Sequence, residues 1–214
     1  MNLQTDIEKA SYLIGYMQGQ QMKQNLEQQS QGVIDNDQLA AGVIDAMRSN
    51  ESQVDTNQGQ ALMEALNTAV QGKLAEAQED ASAASADTIA AGDAYRAEYA
   101  AKEGVVTLPS GLLYEVINEG SGPKPTANDT VTTHYAGTLI DGTQFDSSID
   151  RGQPASFPVG GVIAGWTEAL QLMGVGSKWR LVIPPDLGYG ERGSPPRIPP
   201  HSTLVFEVEL LDIK

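Results

Sequence analysis

The sequence predicts an α+β protein. An all-helical N-terminal part ends in a long linking helix, and an antiparallel β-sheet wrapped around one short helix follows it. Three observations predict this. Residues 1–104 contain no Pro, Phe or Trp, whereas all 11 prolines, 3 phenylalanines and 2 tryptophans lie beyond them. Apolar residues in the first part recur every three or four positions, the spacing of a helix face. In the second part they recur every two, the spacing of a strand with one buried face. The expected division is 1–56 helical module, 57–104 linking helix and 105–214 sheet domain.

In the first helix Leu3, Ile7, Ala10, Ile14 and Met17 form the seam, and Tyr12, Leu13 and Tyr16 widen it. QQSQG breaks the pattern. Asp35 or Asp37 is placed to cap a second helix that presents Leu39, Val43, Ile44 and Met47. Two helices this short bury too little surface between themselves to be stable. The predicted partner for their stripes is a second copy of the chain, giving a homodimer of interlocked helices. Folding back onto the long helix is the alternative.

From Asn57 to Lys102 no proline intervenes. Leu62, Leu66, Val70 and Leu74 give the early turns an apolar stripe, which then thins to alanines with Ile89, Tyr95 and Tyr99. Alanine sustains a helix while burying little, so a solvated spacer of roughly 70 Å is expected, with a helix packed on its own domain as the alternative. Gly72 and Gly92 read as weak points and Gly104 as the stop.

Strands follow. Val131, Thr133 and Tyr135 share one face, as do Trp179, Leu181 and Ile183, and Leu204, Phe206, Val208 and Leu210. Leu112, Tyr114 and Val116 alternate with Leu113, Glu115 and Ile117. In GWTEALQLM, Trp166, Ala169, Leu170 and Met173 fall at i, i+3, i+4 and i+7, one short amphipathic helix to cover the sheet.

Composition narrows the function. The net charge is −15, of which −10 falls in residues 1–104, so phosphate backbones and anionic membranes repel the chain. No nucleic-acid partner is expected, and no stretch is apolar enough for membrane insertion. Without cysteine there is no disulfide framework and no thiol chemistry. His134 and His201 lack the company a metal site needs, and no cofactor is expected. With no leader, the chain reads as cytoplasmic as written, or periplasmic as a mature exported form.

The chemistry is carried by separated strings: YAGTLIDGTQFDSS, RGQPASFPV, VIAGWTEALQLM, GSKWRLVIPPDLGYGERG and IPPHSTLVFEVELLDI. In this order, from about Ser110 to Lys214, they closely resemble the FKBP-type peptidyl-prolyl cis-trans isomerases. KASYLIGYMQGQQM, with the helical N-terminus, is similar to the dimeric macrophage-infectivity-potentiator branch. The resemblance implies a V-shaped dimer that isomerises X–Pro bonds and binds unfolded or proline-containing client proteins. It also implies macrolide inhibitors such as rapamycin and tacrolimus.

Carried over by motif, Tyr135, Phe145, Asp146, Trp166, Tyr189 and Phe206 are the expected catalytic pocket, with Arg151, Phe157, Val162, Ile163 and Ile198 binding substrate. Trp166 is the expected floor, stacking on a proline ring. Phe145, Phe157, Val162, Phe206 and Ile198 are the expected walls. The Ile163 N–H and Tyr189 hydroxyl are expected to hold carbonyls, and Asp146 to pair with Arg151 and the Tyr135 hydroxyl. Taken singly, Phe157 and Phe206 read as core, Asp146–Arg151 as a surface pair and Tyr189 as a loop anchor. Ala155, Ser194, Arg197 and a short loop between Phe157 and Val162 depart from the family pattern. A non-catalytic holdase using the same pocket only to bind is the second reading.

Overall fold

The computed structural model describes residues 4–214; Leu3 of the predicted seam lies outside the described residues. The chain divides into two compact units, Met1–Ser82 and Ala83–Lys214.

Helix α1, Asp6–Ser30, opens with a capping box. The Thr5 hydroxyl accepts from the Glu8 N–H at 3.2 Å, and the Glu8 carboxylate accepts from the Thr5 N–H at 2.8 Å. These backbone bonds hold the Glu8 carboxyl below its ordinary pKa. Gln31 and Gly32, both at positive φ, end the helix at the predicted break. Asp35 caps α2, Asn36–Met47, by accepting from the Asp37 and Gln38 N–H groups. Ile7, Ile14, Met17 and Met47 are largely exposed, so this unit leaves its apolar stripe uncovered within one chain.

Helix α3, Gly59–Ala100, runs from the first unit into the second. Its early turns are mostly exposed, as the solvated-spacer expectation requires. The last turns differ from that expectation. Tyr99 is buried against Leu113 and Val182, with Tyr95, Val105 and Val205 around them. Its hydroxyl donates to Glu115 at 2.6 Å. Arg180 bridges Glu115 and Glu207, and Lys178 also pairs with Glu207. Gly92 is a point of close approach: a methyl group there would stand 2.6 Å from the Thr203 hydroxyl oxygen.

The sheet comprises β1 (Val105–Thr107), β2 (Leu113–Asn118), β3 (Thr130–Leu139), β4 (Gln144–Ser147), β5 (Ala155–Pro158), β6 (Lys178–Ile183) and β7 (Leu204–Ile213). All pairings are antiparallel, in the order β1-β2-β6-β7-β3-β4, with β5 also on β3. The central strands β3 and β7 alternate buried and half-buried residues, as their period-two patterns predict. Helix α4, Ala164–Leu170, buries Trp166, Ala169 and Leu170, which join the main core with Met173, Leu181, Ile183 and Val208. Among the described residues no helix is long and apolar enough to cross a membrane.

Candidate functional site

Four strands and α4 converge on one hollow of about 330 Å³. The β3 register puts Tyr135 opposite Val208 and Gly137 opposite Phe206. Phe145 and Asp146 enter from β4, Phe157 from β5 and Trp166 from the first turn of α4. Trp166 meets three rings nearly edge-on. Its centroid lies 5.3 Å from Tyr135, 5.3 Å from Phe206 and 5.9 Å from Phe157, with interplanar angles of 82–86°. Phe145 packs on Phe206 at 5.4 Å and 82°. Edge-to-face packing suits the ring quadrupoles and fixes each ring against its neighbours. The indole is 4% exposed and lines the floor of the open hollow.

The rim is polar on one side. The Tyr135 hydroxyl donates to Asp146 Oδ2 at 2.6 Å and accepts from Arg151 Nη2 at 2.8 Å, while Arg151 Nη1 donates to Asp146 Oδ1. The Arg151 guanidinium also lies 5.5 Å from the Tyr135 ring centre. Burial alone would raise the Asp146 pKa, but the Tyr135 hydroxyl and Arg151 outweigh it and hold the carboxyl low. Burial, then the bond to Asp146, pushes the Tyr135 phenol up. Across the neutral range the pair is therefore a carboxylate bonded to a neutral phenol.

Tyr189 stands at the mouth, 41% exposed, and its hydroxyl has no hydrogen-bond partner among the described residues. Ile163 caps α4 with its carbonyl accepting from Trp166 and Thr167. Its own N–H donates to no backbone carbonyl of the described chain. Val162 completes this side.

Nine of the eleven residues expected from sequence thus line one hollow. Arg151 lies at its edge through Asp146, and Ile198 lines an adjoining hollow that shares Phe145, Asp146 and Tyr189. Sequence reasoning missed two glycines. A methyl group on Gly137 would stand 2.6 Å from Phe206 and 2.7 Å from Phe145, so only glycine lets those rings close on β3. At Gly161 it would meet Pro158 at 2.7 Å. A glycine inside the strand pattern YAGTL is the signal that marks such a close approach.

His134 points away from the hollow, and its ring nitrogen lies 3.1 Å from the Ser148 hydroxyl. His201, at φ 58, is a turn residue. Among the described residues no three His, Cys, Asp or Glu side chains are arranged to hold a metal. What the arrangement offers is a largely apolar, ring-walled space with one carboxylate–phenol edge.

Comparison with known proteins agrees with this fold. Residues 122–211 match the family described as FKBP-type peptidyl-prolyl cis-trans isomerase. Residues 7–116 match the domain amino terminal to FKBP-type peptidyl-prolyl isomerase. The FKBP-type 22 kDa peptidyl-prolyl cis-trans isomerase of Escherichia coli is 47% identical over 209 residues, spanning 96% of this chain and 94% of that protein. The outer membrane protein MIP of Legionella longbeachae is 41% identical over 214 residues, spanning 100% of this chain and 88% of that protein. The crystal structure of FkpA from Escherichia coli has 43% sequence identity and superposes with a TM-score of 0.66 over 100% of this chain and 99% of that one.

Proposed function

Because the chain belongs to the FKBP-type peptidyl-prolyl cis-trans isomerases of the FkpA/Mip type, we propose that the ring-walled hollow is where it turns X–Pro bonds. Trp166, Tyr135, Phe145, Asp146, Tyr189 and Phe206 carry the catalysis. Arg151, Phe157, Val162, Ile163 and Ile198 position the substrate. The single observation behind this assignment is the Trp166 floor, ringed edge-on by three aromatic side chains and open above.

The mechanism follows from the amide. Resonance gives the C–N bond a rotational barrier of about 18–20 kcal/mol, and an uncatalysed X–Pro bond turns over in tens to hundreds of seconds. Twisting abolishes the resonance and with it much of the charge separation of the planar amide. Water favours the planar forms, so moving the bond into an apolar hollow lowers the barrier. A proline ring stacked on Trp166 is held, and the Ile163 N–H and Tyr189 hydroxyl fix the flanking carbonyls. The walls then favour the twisted form over either planar one. The Asp146–Tyr135–Arg151 edge keeps its carboxylate paired, so the hollow stays ordered without a stray charge.

Beyond the isomerase reaction, residues 1–56 are the proposed dimerisation module, 57–104 the linking helix and 105–214 the isomerase domain. The exposed stripe of Ile7, Ile14 and Met17 supports dimerisation through a second copy. Unfolded or proline-containing clients are proposed to bind between the two arms of that homodimer. Rapamycin and tacrolimus are the proposed competitors for the hollow. The name outer membrane protein, carried by the Legionella longbeachae relative, supports the exported alternative for this chain.

The test is a peptide isomerisation assay beside a proline-limited refolding assay. Trp166→Leu should lower kcat/KM about tenfold or more, some 1.4 kcal/mol of transition-state stabilisation. Suppressed aggregation with no acceleration of either reaction would leave only the holdase reading.

A further inference from the structure

Resting on the assignment of the hollow as the proline site, we infer that Arg197 makes this enzyme favour an acidic over a basic residue beside the proline. The loop Ser194–Ile198 closes on itself: the Ser194 N–H donates to the Ile198 carbonyl at 2.8 Å and the Ile198 N–H to the Ser194 carbonyl at 3.0 Å. Pro195 and Pro196 form its apex, so few backbone torsions remain free. This stiff turn carries Arg197 to the mouth of the site, where one guanidinium nitrogen donates to the Phe145 carbonyl at 3.0 Å. Phe145 is itself a wall of the central hollow.

Arg197 lines two further hollows, of about 330 and 660 Å³. Both share Phe145 and Asp146 with the ring-walled one, and the smaller also shares Tyr189. A peptide whose proline sits on Trp166 and that leaves on this side would run its neighbouring residues past this side chain.

Pairing, rather than net charge, sets Arg197 apart. Arg197 forms no ion pair among the described residues. Of the two nearby carboxylates, Asp146 pairs with Arg151 and Tyr135, while Asp150 holds the neutral Gln144 amide and forms no ion pair with Arg197. A guanidinium has five N–H donors and only one is in use here. In a chain of net charge −15, this is an open cation beside the reaction site. A client carboxylate offers the planar, two-oxygen partner its geometry suits.

The experiment compares peptides that differ only in the residue beside proline (Glu, Leu or Lys, before it in one series and after it in another). Isomerisation is followed by exchange NMR, without a coupled protease. An exposed ion pair is worth under about 1 kcal/mol, so in one series the Glu peptide should exceed the Lys peptide in kcat/KM by about two- to fivefold. At 1 M salt, where the Debye length is about 3 Å, the ratio should fall toward one. Arg197→Gln should abolish the ratio, Arg197→Lys should keep part of it and Arg197→Glu should reverse it. A wild-type ratio of one or below in both series overturns the inference, as does a ratio that survives Arg197→Gln or high salt. Loss of turnover on every peptide by the wild-type chain would instead overturn the proline-site assignment, and this inference with it.

Discussion

The Tyr135 hydroxyl donates to Asp146 Oδ2 at 2.6 Å across the mouth of the hollow, tying β3 to β4 at the point where the two strands part. Two pKa shifts of opposite sign meet in that bond. The Asp146 carboxyl is held below its ordinary 3.8 and the Tyr135 phenol above its ordinary 10.0. A depressed carboxyl contributes stability above its unfolded pKa that is lost as pH falls through the folded value. A raised phenol contributes stability below its unfolded pKa that is lost as pH rises through the folded value. Peptide isomerisation should therefore be level between these two ordinary values and fall only as pH drops below 3.8 or climbs above 10.0. Asp146→Ala should lower kcat/KM without changing the mass of the assembly. A narrow peak near neutrality, with activity already falling between about pH 5 and about pH 9, would contradict this picture.

Gly137→Ala tests how closely the rings must approach the sheet. The added methyl would press on Phe206 and Phe145 at distances no real contact reaches, so both rings must tilt. Overpacking of this kind costs about 1–3 kcal/mol. Denaturation midpoint and kcat/KM should fall together. Unchanged catalysis in a destabilised protein would show that the ring positions matter less than the walls they form.

Tyr99 tests the attachment of α3 to the back of the sheet. Removing its ring with Tyr99→Ala should cost about 3–5 kcal/mol, and Tyr99→Phe about 1 kcal/mol. Both tryptophans lie in the sheet domain, so indole fluorescence during chemical denaturation reports on that domain alone. Burial, then the bond to Glu115, pushes the Tyr99 phenol up to about 12. The stability it contributes is complete below pH 10.0 and lost as pH climbs toward about 12. Tyr99→Phe should flatten the alkaline limb of the stability curve.

Ile14→Glu with Met17→Glu tests the dimer. Both side chains are largely exposed in one chain, so the charges should be harmless to a monomer and disruptive between copies. Sedimentation should show the mass falling from two chains to one. Short-peptide turnover should persist while acceleration of protein refolding weakens. A doubly substituted chain that still sediments as a dimer would place the interface elsewhere.

The aromatic wall was legible in the sequence because each ring sits in a separate string at a strand-compatible position. Strand alternation then dictates which face Tyr135, Phe206 and Val208 share. Asp35 was legible as a cap because a short acidic side chain before an apolar stripe has few other uses. Gly137 was not, since its reason is what a methyl would strike, and that depends on β4 and β7 folding back over it. The docking of Tyr99 was hidden for a different reason. Two tyrosines on an alanine-rich helix look too sparse to bury. Their partners Leu113, Val182 and Val205 lie on the outward phase of three separate strands. Those outward apolar residues were the available sign that something covers the back of the sheet.

Val205 and Phe206 are neighbours on β7, one turned to Tyr99 and the other to Trp166. A pleated strand leaves no slack between such neighbours, so crowding on one side is felt a single peptide bond away on the other. The ring cage is therefore adjustable from behind, at positions that do not line the hollow.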